Sequence, residues 1–368
     1  MIIGVPKEIK PQEDRVGLNI HSASELVDLG HRVVIQMNAG LGIGCTDDGY
    51  RAVGAEIVSD AQSVYDVASL IVKVKEPLLE ECQYFTAEHT LFTFLHLAAI
   101  PEVANKLLES GVCGIAYETI TDAQNRLPVL APMSEIAGKY SIQSGARALE
   151  RINGGKGVLL GGITGVERAK VIIFGGGVAG ISAMKVALGC GADVSIFDTS
   201  VDRLRMIDDI FGARVQTLYP NAKLVEEKVS GCDLLIGAVL IPGAKAPYVV
   251  KKDLVAKMQE GSAIVDLSID QGGCIETSRA TTHETPMFIE SGVVHNCITN
   301  MPAAVAKTAN FGLNNVTLGY VKTIARLGVK ESCKQSPHIL NGLNIYEGNI
   351  CHQSVAKSLG VSFRKPFN

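Results

Sequence analysis

No C-x-x-C pair occurs among the nine cysteines, no repeat, long linker or low-complexity segment breaks the 368 residues, and no uninterrupted apolar run approaches the ~18 residues of a membrane span. The cysteines, at positions 45, 82, 113, 190, 232, 274, 297, 333 and 351, are odd in number and widely spaced. That spacing argues against a disulfide scaffold and for free thiols in a reducing compartment. The opening MIIGVPKEIKPQEDR carries charges where a signal peptide needs a longer apolar region, so a cytoplasmic protein without a membrane partner is expected. A formal charge of −4 offers no basic surplus for nucleic acid. Anionic small molecules must be attracted by local groups. With 47% hydrophobic and 20% charged residues, what remains is the composition of an ordinary soluble globular chain. Its length suggests two domains, at roughly 100 to 200 residues each.

The stretch KVIIFGGGVAG, residues 170 to 180, joins an apolar β-branched run to a glycine turn, and a helix should follow at once. Gly175, Gly177 and Gly180 fit G-x-G-x-x-G. The first glycine permits the tight turn, the second lets the backbone approach a pyrophosphate, and the third lets the helix Val178 to Leu188 pack closely on its strand. The helix N-terminus then attracts anions through its unpaired N–H groups. A second strand, ADVSIFD, ends in Asp198, placed to accept hydrogen bonds from a ribose 2′-hydroxyl and to disfavour the 2′-phosphate of NADP. Strand, turn, helix, strand and acid in this order point to NAD; the bland alternative is a structural glycine turn.

Before that unit the chain alternates between strands and helices. Strand Ile2 to Val5 leads into a charged loop carrying Arg15, and a helix follows in which Ser22 and Glu25 have the spacing of a capping box. Leu26 and Leu29 supply its apolar face and Gly30 its stop. Next come RVVIQ, short helices near Tyr50 and Val64, and strands Leu70 to Val74, Leu91 to Leu95 and CGIAYE. Lys75 and His96 sit at the carboxyl ends of two of them, where ligands bind in open α/β sheets. At LPVLAPMS, Pro128 and Pro132 should interrupt regular structure, with Ser134 capping the next helix. A strand around Val158 to Leu160, and the runs CDLLIGAVL, SAIVDLSID and GVVHNCITN, complete a second α/β unit. A helix Asn310 to Leu327, ended by Gly328, returns to the first. The expectation is two Rossmann-like, doubly wound parallel-sheet domains separated by a cleft. Residues 1–127 plus 308–368 would form a discontinuous substrate domain, and 128–307 the NAD-binding one.

The residues strongly resemble the alanine dehydrogenase family along nearly the whole chain. GVPKEIKPQEDRVGL, LIVKVKEP, FTFLHLA, LAPMSEIAG, VLLGGITGV, IFGGGVAG, RVQTLY, IGAVLIPG, DLSIDQGG and TNMPAAV stand in the family's order and spacing. The resemblance implies NAD-linked oxidative deamination of L-alanine to pyruvate and ammonium, reversible as reductive amination, by a homo-hexamer of two-domain subunits.

Carried onto matching positions, it implies Arg15 and Lys75 as substrate-binding cations and His96 and Asp270 as catalytic residues. The chemistry agrees, since an arginine fork grips a carboxylate and a lysine stabilises developing charge on a carbonyl oxygen. Imidazole titrates near neutrality, as acid/base work requires. Asp270, on the nucleotide domain and so across the cleft from His96, would handle water and protons, though an aspartate there also suits capping of the Gln271-Gly272-Gly273 turn. Further cofactor contacts implied are Ser134, Val178, Ala179, Asp198, Arg203, Val239, Leu240, Arg279, Asn300 and Met301. Where many relatives have a serine near the adenosine, this chain has Pro220, and that contact is not carried over. No metal is expected, because Asn310 to Leu327 holds no His or Glu, Thr323 and Leu327 replace candidate ligands of some relatives, and Cys333, His338, Cys351 and His352 are scattered.

Two other classes stay open. The NAD-binding component of a proton-translocating transhydrogenase resembles the same fold, but its arginine- and glutamine-containing loop is replaced here by LPVLAPMSEIAG. A non-catalytic NAD-responsive subunit has no reason to keep Arg15, Lys75, His96 and Asp270 together.

Overall fold

The computed structural model describes residues 1–240 and 246–367; residues 241–243 of the motif IGAVLIPG lie outside them. The chain divides into two compact units, Met1–Met133 with Val305–Asn368, and Ser134–Ala304. In the first, β1 (Ile2–Val5), β2 (Arg32–Gln36), β3 (Glu56–Val58), β4 (Leu70–Val72), β5 (Thr90–Thr93) and β6 (Cys113–Ala116) pair in parallel, in the order β3-β2-β1-β4-β5-β6. The order reverses between β1 and β4. Such a switch point leaves a crevice outside the carboxyl ends of the strands.

The second unit repeats the plan with β7 (Lys170–Phe174), β8 (Asp193–Phe197), β9 (Gln216–Leu218), β10 (Leu234–Gly237), β11 (Ala263–Asp266), β12 (Met287–Glu290) and β13 (Val293–Asn296). Their order is β9-β8-β7-β10-β11-β13-β12, reversing between β7 and β10. Both sheets are doubly wound, as the alternating pattern predicted. They are not wholly parallel: β12 runs antiparallel to β13, and β14 (Leu343–Tyr346) and β15 (Asn349–Ile350) extend the first sheet antiparallel beyond β6. The short strands β9, β12, β14 and β15 carry too little apolar periodicity to be recognised in sequence.

The inner strands of the second sheet, β7, β8, β10, β11 and β13, are buried on both faces, so they read as continuous apolar runs. Val171 and Ile173 face a core with Ala183, Met184 and Ala187 of the helix Val178–Gly189, while Ile172 and Phe174 face a second core with Leu235 and Ile264.

Several local expectations are corrected. The helix Ile20–Asp28 is capped by Asn19, whose side chain accepts from the Ser22 N–H; Ser22 is buried inside the helix and Leu29 is 57% exposed. Gly30 does end it, with φ +81°. The helix Ala131–Ala148 begins before Ser134, so Ser134 is an internal residue, not a cap. Pro132 opens this helix, where its missing N–H has no intrahelical partner to lose. No strand forms at Val158 to Leu160, because Gly154 and Gly157 take positive φ and Leu159 is exposed. The helix expected at Asn310 starts at Ala306 and runs to Gln335, broken at Gly328 by φ +71° and ψ 168°.

The close packing of the glycine turn predicts opposite outcomes for two glycines of one helix. A Cβ on Gly180 would strike the Gly175 carbonyl oxygen, whereas one on Gly189 would meet nothing within 4 Å. Gly180→Ala should destabilise by about 2–3 kcal/mol. Gly189→Ala should stabilise by about 0.4–1 kcal/mol by reducing the freedom of the unfolded chain. Denaturant midpoints of the two variants check both signs.

Candidate active site

At the switch point of the first unit, the loops leaving β1 and β4 are joined by a buried ionic network. Lys73 lies next to the end of β4 and is fully buried, with Nζ 2.7 Å from Glu81 and 3.2 Å from Glu8. Glu8 uses its other oxygen on the backbone, accepting from Val74 N at 2.6 Å and Lys75 N at 3.3 Å. One ammonium serves two buried carboxylates. Burial therefore pushes Glu8 above its ordinary 4.5 although Lys73 opposes this, while the two glutamates outweigh burial at Lys73 and keep it charged. Tyr117 donates to the Lys73 carbonyl at 3.0 Å and Thr93 to the Lys75 carbonyl at 2.9 Å. The backbone that presents Lys75 is held from both sides.

Lys75 itself is 9% exposed, with Nζ 3.6 Å from Glu76, which Lys10 also meets. Burial alone would raise the Glu76 carboxyl, but Lys75, Lys10 and His96 outweigh it and hold it below 4.5. Lys75 and His96 thus share one acidic neighbour. Arg15 is buried, with Nε 2.6 Å and Nη2 2.5 Å from the two oxygens of Glu13 and Nη1 3.0 Å from Met133 Sδ. The two parallel bonds to one carboxylate fix the orientation of this guanidinium. The loop after Arg15 is fastened by the long helix from the other end of the chain: Asn310 donates to the Val16 carbonyl and Asn314 accepts from Asn19 N at 2.9 Å.

His96 leaves β5 in the left-handed region, φ 47° and ψ 34°. Glu118 holds it there, accepting from His96 N at 2.6 Å and Leu95 N at 3.2 Å, with Oε1 3.9 Å from the imidazole Nδ1. The ring lies parallel to Phe94, 2° between planes and 5.6 Å between centroids, and remains 39% exposed. An accessible imidazole on a fixed backbone, beside a carboxylate, is equipped for proton transfer.

In the second unit the glycine turn sorts its three glycines by what surrounds them. Gly175 has φ +100° and its Cβ would strike the Ala238 carbonyl; Gly180 is closed off by Gly175. Gly177 has φ −75°, and a Cβ there would meet only Arg203 Nη1, at 4.0 Å. The fold needs glycine at 175 and 180. At 177 it leaves open space in front of a helix N-terminus, which suits a pyrophosphate. Asp198 accepts from Gly176 N and Ser200 N, both at 2.7 Å, and stands 3.7 Å from Arg203 Nη1. A carboxylate has about four acceptor positions, so ribose hydroxyls can still bind it. The close approach of Gly175 to Ala238 sets Val239 and Leu240 beside the turn, where Val178 and Leu240 expose 49% and 47% of their apolar surface. These residues fit a dinucleotide.

Asp270 is exposed in the loop after β11. The turn behind it closes through backbone bonds, Gly272 N to Ile269 O and Gly273 N to Ser268 O, at 2.9 and 3.0 Å. The loop is anchored by the buried Asp266, which accepts from Ser268, Cys274 and Ile275 N–H groups at 3.0 to 3.1 Å. Ser268 donates to the Val239 carbonyl at 2.8 Å. Asn300, with φ 57°, and the buried Met301 lie after β13, and Arg279 is exposed in the segment before β12.

The N-terminal domain of the alanine dehydrogenase/PNT family matches residues 4–137 and its C-terminal domain matches residues 141–353. The chain belongs to this family. It is 50% identical over 359 residues to an alanine dehydrogenase of Methanococcus maripaludis, covering 97% of this chain and 96% of the relative. A solved L-alanine dehydrogenase superimposes with a TM-score of 0.94 at 47% identity, covering 98% of this chain and 99% of that one. A transhydrogenase from Sinorhizobium meliloti shares the fold, with a TM-score of 0.82 at 24% identity over 96% of this chain and all of that one.

Within this family fold, Lys73, Glu8, Glu13, Glu76, Glu118 and Asp266 were not singled out in the sequence, yet they hold the residues that were. The available signal was charge inside apolar runs: Lys73 in LIVKVKEP and Asp266 in SAIVDLS. Lys73→Met should destabilise the chain by about 3–5 kcal/mol at neutral pH, because two buried carboxylates lose their cation. With Lys73 gone the already raised pKa of Glu8 rises further. A folded-state pKa above the unfolded value stabilises at low pH and is lost as pH rises, so the deficit should shrink as pH falls from 7 toward 5. Melts across that range test it. Gly177→Ala should fold with native stability and lose NADH affinity, as titration of the intrinsic NADH fluorescence would show.

Proposed function

We propose that the chain is an NAD-dependent L-alanine dehydrogenase. Alanine, NAD⁺ and water give pyruvate, ammonium, NADH and a proton, and the reaction runs in both directions. The observation that carries this reading is the match to alanine dehydrogenases over nearly the full chain, supported by a buried arginine, a buried lysine and an accessible histidine, Arg15, Lys75 and His96, on the segments that follow β1, β4 and β5 of the first sheet. The discontinuous unit is assigned the substrate and the inserted unit the cofactor. The transhydrogenase likeness supports the fold alone, at 24% identity.

In this reading Gly175, Gly177 and Gly180 would hold NAD, with Asp198 on its ribose and Ser134, Val178, Ala179, Arg203, Val239, Leu240, Arg279, Asn300 and Met301 making the remaining contacts, and the bound nicotinamide would supply the hydride acceptor. Asp198 favours NAD over NADP by repelling a 2′-phosphate. Arg15 grips the substrate carboxylate as a fork, and Lys75 stabilises charge on the carbonyl oxygen. His96 moves protons as water adds to the imine and ammonia leaves, and Asp270 positions that water. Alignment by these groups, rather than new bonds to the protein, supplies the acceleration. Among the described residues no helix is long and apolar enough to cross a membrane. A cytoplasmic homo-hexamer completes the proposal.

The assay is direct. Pyruvate, ammonium and NADH should together give loss of NADH absorbance, and omission of any one should stop it. His96→Ala and Asp270→Asn should each lose about 100- to 10,000-fold in turnover while retaining NADH binding and melting temperature. A well-folded variant with near-native turnover would remove that residue from the mechanism.

A further inference from the structure

Arg279 is held by a feature that neither the glycine turn nor the catalytic groups require. The chain on both sides of it is pinned to the segment containing β13. Thr277 Oγ1 lies 2.8 Å from His295 Nε2, Thr281 N donates to the Cys297 carbonyl at 2.9 Å, and Cys297 N donates back to Thr281 Oγ1 at 3.2 Å. The exposed side chain of Arg279 then lies over an aromatic ring, its guanidinium carbon 4.1 Å from the centroid of Phe288. Among the described residues it makes no ion pair to a carboxylate.

Phe288 is itself placed from below. It is the cross-strand partner of His295 on β12 and β13, and the two rings stack 4.8 Å apart at 19°. His295 is fully buried, and its Nδ1 lies 3.0 Å from the Val293 carbonyl, which only accepts. Nδ1 therefore carries the hydrogen and Nε2 accepts from the Thr277 hydroxyl. Burial holds the imidazole below its ordinary 6.5, with Arg279 adding to the effect. The ring beneath Phe288 is neutral at physiological pH and places no second cation near the guanidinium.

We infer that Phe288 is a positioning residue for the dinucleotide, acting through Arg279. A free arginine side chain loses extensive rotamer freedom when it grips a ligand, and one already laid on an aromatic face has surrendered part of it beforehand. The inference rests on the proposed role of Arg279 as a cofactor contact. It adds that the strength of this contact is set by a ring that does not itself need to touch the cofactor.

The experiment measures NADH dissociation constants, kcat and the KM values for NAD and alanine in Arg279→Ala, Phe288→Leu, Phe288→Tyr and the double variant Arg279→Ala/Phe288→Leu, with thermal melts throughout. An exposed cation–π contact corresponds to about a 2- to 5-fold change in affinity. Phe288→Leu should therefore raise the NADH dissociation constant and the KM for NAD by about that factor, with kcat and the KM for alanine unchanged. Phe288→Tyr, which keeps the aromatic face, should behave as the parent. In the Arg279→Ala background, Phe288→Leu should cause no additional loss. If Arg279→Ala weakens NADH binding and a folded Phe288→Leu does not, the inference is wrong and the cofactor role of Arg279 stands. If Phe288→Leu weakens binding equally in both backgrounds, Phe288 acts by another route and the inference is wrong. Native affinity in Arg279→Ala would remove both Arg279 and Phe288 from the cofactor site, while the glycine turn and Asp198 are judged separately by Gly177→Ala. Should Phe288→Leu melt early, Phe288→Met supplies a second non-aromatic side chain for the same comparison.

Discussion

Carboxylates catching backbone N–H groups at the ends of parallel strands are the interaction on which both candidate sites depend. Glu8 takes Val74 and Lys75, Glu118 takes Leu95 and His96, Asp198 takes Gly176 and Ser200, and Asp266 takes Ser268, Cys274 and Ile275. A strand that ends and turns away leaves N–H groups without sheet partners, and each costs free energy if buried unmade. A charged acceptor satisfies two or three at once with stronger bonds than a neutral group would make. The loops so held are those bearing Lys75, His96, the glycine turn and Asp270. They are fixed by the protein before any ligand arrives, which is the condition for a preorganised site.

Charge balance in the first unit follows from the same arrangement. Arg15 faces Glu13, Lys75 faces Glu76, and Lys73 faces Glu8 and Glu81, so the cations assigned to substrate are introduced into a buried region without standing uncompensated. These pairs contribute geometry more than stability. Desolvation offsets much of the attraction between buried ions, but a fork fixed by one carboxylate is held in a defined orientation.

The second unit combines this with steric exclusion. Gly175 and Gly180 are required by backbone atoms that a Cβ would strike, whereas Gly177 has open space before it. The three glycines of one motif therefore have distinguishable causes, two in packing and one in what the helix N-terminus faces.

Much of this was legible in the chain itself. The buried runs of β7, β8, β10, β11 and β13 are apolar because both their faces are covered, and the glycine turn and Asp198 follow directly on β7 and β8; the runs expected to carry strand as far as Val74 and Leu95 stop at Val72 and Thr93, so Lys75 and His96 lie in the segments just beyond β4 and β5. The short antiparallel strands β12, β14 and β15 were not legible, since antiparallel pairing at the margin of a sheet is decided by neighbours and not by composition. Nor was the capping role of Asn19, which competes with the equally plausible Ser22. Sequence alone determined the order of the buried strands and the residue types that follow them, because burial on two faces and backbone freedom at glycine are local demands. Only the tertiary structure decided which acid holds which loop. Glu8 lies 66 residues from Val74 and Glu118 lies 22 from His96, and a carboxylate meets a distant N–H only once the sheet order has brought their two strand ends side by side.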